Sequence, residues 1–269
     1  MSNPGEPEQD EHLIAGGINQ VVRIGQTIRR PMGPWSESVH ELLKHLEARG
    51  FAGAPRFLGV DHEGREIHSA VAGETPWPPG PALLSTALLE SAASLLRRYH
   101  DAVDGWSPAT GSWQFAPVPV GEPEVICHND LAPWNLIARD GETVAFVDWD
   151  TAAPGPRTWD LAYLAYTLVP LAAPGNLEPM GWPGRVPTRE RLKHIRDAYG
   201  CTPKQWQAVI ATIPARVRAA YDTMRIWAAE DRPGWRAQWE QPEPWRHGAG
   251  YLRDIAHIQN SIESWRTTD

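Results

Sequence analysis

The 269-residue chain sets 25 Lys and Arg against 33 Asp and Glu, a formal charge of −8 that argues against nucleic acid as a partner, since a phosphate backbone wants a basic stripe. With 42% hydrophobic residues and 14 Trp it can bury a sizeable core, in one large domain or in two lobes that share a cleft. Two cysteines cannot build a disulfide framework, no stretch approaches the roughly 18 apolar residues of a membrane span, and the polar first dozen residues hold no apolar signal segment, so a soluble cytoplasmic protein is expected.

Residues 1–10 read as a disordered leader. Strands follow at Val21 to Ile24 and Thr27 to Arg30, joined by a Gly25-Gln26 turn. Ser36 to Arg49 repeats apolar residues at helical spacing (Val39, Leu42, Leu43, Leu46), and Gly50 stops the helix. Two more strands, Pro55 to Val60 and Arg65 to Val71, flank the turn Asp61-His62-Glu63-Gly64. Pro76, Pro78, Pro79 and Pro81 then stiffen a crossing into a second, helical part, which opens with a helix from about Leu83 to His100. Further helices are expected over Asp160 to Val169, Thr188 to Tyr199, Pro203 to Ala229 and Tyr251 to Trp265, with Pro214 kinking the long one.

Between the first of these helices and the rest lies the most informative pattern. His128-Asn129-Asp130-Leu131-Ala132-Pro133-Trp134-Asn135 has the form H-x-D-x-x-x-x-N, and the apolar run Val144 to Val147 closes on Asp148. Short apolar strands flank the loop, and Asp140-Gly141 makes a hairpin turn that favours positive φ, so loop, strand, turn and strand carry Asn135 and Asp148 to one place. These are the groups that metal-assisted phosphoryl transfer needs. Asp130 can accept a hydroxyl proton, and Asn135 and Asp148 can hold Mg²⁺ against nucleotide phosphates.

With Asp148-Trp149-Asp150 and Asp160-Leu161-Ala162 added, the chain resembles the aminoglycoside phosphotransferases, small-molecule kinases related in fold to protein kinases. Asn129 stands where that family more often has glycine. The resemblance covers nearly the whole chain from residue 13 and is sharpest from Val125 to Leu168. It implies an α+β, two-lobed, protein-kinase-like fold with a small β-rich N-lobe (residues 11–74) and a larger helical C-lobe (residues 75–269).

The resemblance also assigns roles. Asp130 would be the catalytic base, Asn135 and Asp148 the metal ligands, and Asp160 a structural acid that receives hydrogen bonds from the catalytic loop. His128 would organise that loop. Ser69, Ala70 and Val71 would offer backbone groups to the adenine of ATP. Arg29 aligns with the phosphate-pairing lysine of kinases, but a strand sends only one of two neighbours into a cleft, so Arg29 and Arg30 both stand as candidates. Glu37 and Glu41 share a helix face without matching the family's ion-pair glutamate, and both read as solvated charges. The implied activity moves the γ-phosphoryl group of ATP, with Mg²⁺, to a hydroxyl of a small molecule. An aminoglycoside-like cation would suit the acids that recur late in the chain, among them Glu230, Asp231, Glu240, Asp254 and Glu263. A metabolite kinase for choline, a sugar or an amino alcohol is the alternative, and a catalytically silent nucleotide-binding scaffold a further one.

Overall fold

Val21, Val22, Ile24, Thr27 and Ile28 favour extended chain, and the left-handed Gly25 (φ 58°) turns it back on itself as a hairpin. A computed structural model of the protein describes residues 11–14, 21–109, 111–114, 122–182, 186–241 and 247–266; the leader expected over residues 1–10 lies outside them. The hairpin strands β2 (Val21–Ile24) and β3 (Thr27–Pro31) sit beside β1 (Glu11–Ile14). After α1 (Ser36–Ala48) come β4 (Phe57–Val60) and β5 (Arg65–Ser69), giving an antiparallel five-stranded sheet in the order β1-β2-β3-β5-β4. The β3–β5 register pairs Arg30 with Glu66, Arg29 with Ile67 and Ile28 with His68. Alternation then puts Arg30, Glu66 and His68 on the buried face, toward α1, and leaves Arg29 on the other.

The segment after β5 is stitched to the second part through Glu74, whose backbone exchanges hydrogen bonds of 2.9 and 2.8 Å with Ala138. Gly73 (φ 142°) permits this approach, since a Cβ there would fall 2.5 Å from the Ala138 carbonyl oxygen. Beyond it runs α2 (Thr86–Ala102), whose first turn is capped by Ser85. Strands β6 (Val125–Cys127), β7 (Leu136–Arg139), β8 (Glu142–Phe146) and β9 (Ala153–Gly155) form two small antiparallel pairs, β6–β9 and β7–β8. The expected Asp-Gly turn joins β7 to β8, with φ 55° at Asp140 and 82° at Gly141.

The remaining elements are α3 (Arg157–Leu168), α4 (Pro174–Leu177), α5 (Thr188–Tyr199), α6 (Pro203–Ala229), α7 (Trp235–Trp239) and α8 (His247–Arg266). A capping box between Thr202 and Gln205 starts α6, which continues as one helix through Pro214. One apolar core runs from Leu42 and Leu43 of α1 through Leu89 and Leu96 of α2 to Val209 of α6 and Ile258 of α8. The chain is 53% helix and 15% strand, with the larger sheet wholly before residue 70, which is the two-lobed, kinase-like α+β fold. Among the described residues no helix is long and apolar enough to cross a membrane.

Candidate active site

The loop His128–Asn135 hangs from the buried end of β6. Asp160, on the first turn of α3 and fully buried, receives the His128 amide at 2.8 Å on Oδ2 and the Asn129 amide at 2.9 Å on Oδ1. His100 of α2 lies 3.2 Å from the same Oδ2. A carboxylate buried this deeply persists because it is fully hydrogen-bonded. Although burial opposes ionisation, the bonds from His100 and the loop amides hold the Asp160 carboxyl below its ordinary range. Asp160 lies within α3, and Pro156 rather than Asp160 precedes the helix.

His128 is wholly buried and burial pushes its pKa down, so it stays neutral at physiological pH. Its Nδ1 accepts from the Asp130 amide at 3.3 Å, which leaves Nε2, 3.1 Å from the Val147 carbonyl, to donate. Asn129 adopts φ 68°, the left-handed region where asparagine is the usual stand-in for glycine, and its Nδ2 donates to the Thr151 carbonyl at 2.9 Å. This accounts for the departure from the family pattern at that position. From α6, the buried Arg216 donates to the Asn129 carbonyl and lies 4.0 Å above the Tyr163 ring. Nothing local in the sequence marks Arg216, because its partner lies 87 residues away.

Asp130 and Asn135 are brought into contact: Asn135 Nδ2 donates to Asp130 Oδ2 at 2.8 Å and to its carbonyl at 2.9 Å. Burial pushes the Asp130 carboxyl up to about 6, the charge of Asp148 adding to the rise while Trp134, Arg216 and Asn135 oppose it. A carboxylate with such a pKa is ionised near neutrality yet basic enough to accept a proton. Trp134, 41% exposed, reaches back over Asp130 and meets Trp77 of the inter-lobe segment edge to face, 5.2 Å between ring centroids.

Asp148 closes the β7–β8 hairpin in a left-handed conformation (φ 63°), a strained geometry of the sort found at functional sites. Its half-exposed carboxylate meets the cation of the N-terminal sheet, and that cation is Arg30. Arg30 Nη2 donates to Asp148 Oδ1 at 3.0 Å and also to Asp150 Oδ2, while Nε lies 3.2 Å from Glu66 Oε1. Burial would discharge the guanidinium, but three carboxylates hold it protonated. The β3–β5 register puts Arg29 on the opposite face from Arg30, hydrogen-bonded to Thr27 and 3.6 Å from Asp61.

The expectation for Ser69, Ala70 and Val71 narrows. The Ser69 amide is committed to the Arg56 carbonyl and the Ala70 amide to that of Gln26, both at 2.9 Å, so at these two residues it is the carbonyls that a ligand could meet. Glu37 is exposed as expected, whereas Glu41 is tied to the Ala109 amide at 2.7 Å. Several late acids are spoken for as well. Glu230, Asp231 and Glu263 pair with Arg232, Arg236 and Arg266, and Asp254 holds Tyr166, the Ala173 amide and Asn176. Glu240 instead lines a cavity of about 410 Å³ with Tyr221, Trp239 and Leu252.

The donor set suits a hard divalent cation. Asp148 and Asn135 offer carboxylate and amide oxygens, the ligands that Mg²⁺ takes, and the Asp148 carboxylate is open enough to combine them with water and phosphate oxygens.

A loop aspartate touches the asparagine five residues on, beside a second aspartate on the neighbouring hairpin, within the kinase-like fold. The sequence model of the phosphotransferase enzyme family (APH) matches residues 109–195, from the approach to the catalytic loop into α5. The chain is 35% identical over 199 residues to the trifolitoxin immunity protein of Rhizobium leguminosarum bv. trifolii, covering 72% of this chain and 75% of that one. Among solved structures it is similar to the ethanolamine kinase of Plasmodium vivax (TM-score 0.62, 13% identity, 95% of this chain and 84% of that one). It is likewise similar to an aminoglycoside phosphotransferase solved with GDP and kanamycin (TM-score 0.58, 13% identity, 94% of each chain). The chain belongs to the phosphotransferase enzyme family.

Proposed function

We propose that this protein transfers the γ-phosphoryl group of ATP to a hydroxyl of a small molecule in the cytoplasm. The observation that carries the reading is the Asp130–Asn135 contact beside Asp148, with Arg30 reaching from the opposite lobe. In this reading the nucleotide lobe spans residues 11–74 and the acceptor lobe 75–269. Asn135 and Asp148 would hold Mg²⁺, which supplies neutralisation of the charge that develops on the phosphates. Asp130 orients the acceptor hydroxyl and takes its proton, and Asn135 Nδ2 keeps the carboxylate aimed. Arg30 supplies a phosphate-binding cation whose planar fork can grip two oxygens. The Val71 backbone borders the adenine. No covalent phosphoenzyme is called for, because holding the two reactants in line carries this chemistry.

For the acceptor we propose a small cationic alcohol. Tyr221, Trp239 and Glu240 give the cavity two aromatic faces and a carboxylate, a combination that suits an amine or ammonium group. Kanamycin and ethanolamine, each connected by name with a protein of this fold, are both amino alcohols. The test is ATP consumption by purified protein over a panel of amino alcohols, aminoglycosides and neutral sugars. Phosphorylation of neutral sugars alone would remove the cationic acceptor, and ATP binding without turnover on any hydroxyl would favour the scaffold reading.

A further inference from the structure

His40, Glu66 and His68 converge in the N-terminal lobe, each buried, and at first sight resemble a cation site. The cation that neutralises Glu66 is already part of the chain. Arg30 Nε stands 3.2 Å from Glu66 Oε1, a charge contact, while His40 Nε2 lies 2.6 Å from Glu66 Oε2. Glu66 is 1% exposed, so its charge depends on these partners. The His40 ring is itself clamped, stacked on Phe57 of β4 with centroids 3.7 Å apart and planes 19° from parallel.

We infer that His40 and Glu66 are positioning residues for phosphate binding, acting through Arg30. This rests on the phosphotransferase reading above. The guanidinium is held at both ends, deep in the lobe at Nε and at the cleft at Nη2. At Nε it is held by Glu66, which His40 and the sheet register hold in turn, all among buried side chains. At Nη2 it is shared between Asp150, which is mostly buried, and Asp148, whose carboxylate is 48% exposed at the cleft, so it is beside Asp148 that a phosphate oxygen would approach it. A strand, β5, supplies the acid that steadies the cation, and the helix packed on the sheet supplies a donor to that acid. A carboxylate at position 40 would face Glu66 as a like charge, whereas an imidazole N–H donates to it and fixes which oxygen is left for Arg30.

The test is a double-mutant cycle read in affinity for Mg²⁺ with a non-hydrolysable ATP analogue, by calorimetry, with thermal melting measured alongside. In the parent background, His40→Ala should weaken binding about tenfold, the order expected for one hydrogen bond to a buried charge. In an Arg30→Ala background the same substitution should add nothing further, because the group it positions is gone. His40→Gln, whose amide can donate in place of the imidazole, should restore most of the loss, and Glu66→Gln should reproduce it. Equal losses from His40→Ala in both backgrounds, or no loss in the parent, would overturn this inference and leave the phosphotransferase reading intact. A parent that does not bind the analogue would overturn both.

Discussion

Arg30 and Asp148, 118 residues apart in sequence, meet at 3.0 Å across the junction of the two lobes. The contact joins the cation of the strand lobe to the acid of the catalytic hairpin, and it ranks the site residues by what each can lose.

Arg30→Ala should weaken nucleotide binding at least tenfold, while Arg29→Ala, whose contacts among the described residues are with Thr27 and Asp61, should leave it within about twofold. Arg30→Ala also strands Glu66 and Asp150 in the interior, which should cost about 3 kcal/mol or more in folding stability. Nucleotide titration and urea unfolding of both variants check this; a greater nucleotide loss at Arg29 would reverse the assignment.

Asp148→Ala and Asp150→Ala should fail in different ways. Asp148 is half exposed and ends the hairpin, so its loss should fall on the Mg²⁺ dependence of turnover. Asp150 is buried against Arg30, and burial raises its carboxyl, so its removal should act through the placement of Arg30. A Mg²⁺ titration of turnover separates them, and unchanged metal dependence in the Asp148 variant would refute its role as a ligand.

Asp160→Ala removes the acceptor of the His128 and Asn129 amides and of His100 at once. With these donors left buried, the loss should be about 3–5 kcal/mol, seen as a lower urea midpoint. A loss below about 1 kcal/mol would mean that the loop is held elsewhere.

His68 gives a pH test. Burial beside Arg30 and His40, only partly offset by Glu66 and Asp148, pushes its pKa down to about 4. The unfolded chain takes up a proton near pH 6.5 that the folded chain refuses, so stability is lost as pH falls from about 6.5 toward 4. His68→Leu removes the penalty. Relative to the parent it should gain about 2 kcal/mol of stability on going from pH 8 to pH 5, measured by denaturant unfolding at both values. No relative gain would mean that His68 titrates normally in the fold.

The grouping of Asp130 with Asn135 and Asp148 was legible because it is local: Asp130 and Asn135 share one turn of chain, and the Asp-Gly turn brings Asp148 back by a rule of backbone geometry. Two adjacent arginines could not be told apart, since only the pairing of β3 with β5 decides which faces inward, and register is a tertiary fact. Arg216, His40 and Glu66 carried no signal because their meaning lies in partners across the fold. Strand β9 was missed for a related reason: Ala153-Pro154-Gly155 has no strand propensity and pairs with β6 where Gly155 lets the backbone close on Cys127, a Cβ there falling 2.9 Å from its Sγ.

The central claim is that Asp130 is the base of a phosphotransferase, and Asp130→Asn tests it most directly. The amide keeps the shape of the carboxylate but cannot take a hydroxyl proton. Measured side by side, affinity for Mg²⁺ with an ATP analogue should stay within about twofold, while transfer to the acceptor falls by about 10²–10⁴. An Asp130→Asn protein that turns over its acceptor at the parental rate would contradict the account.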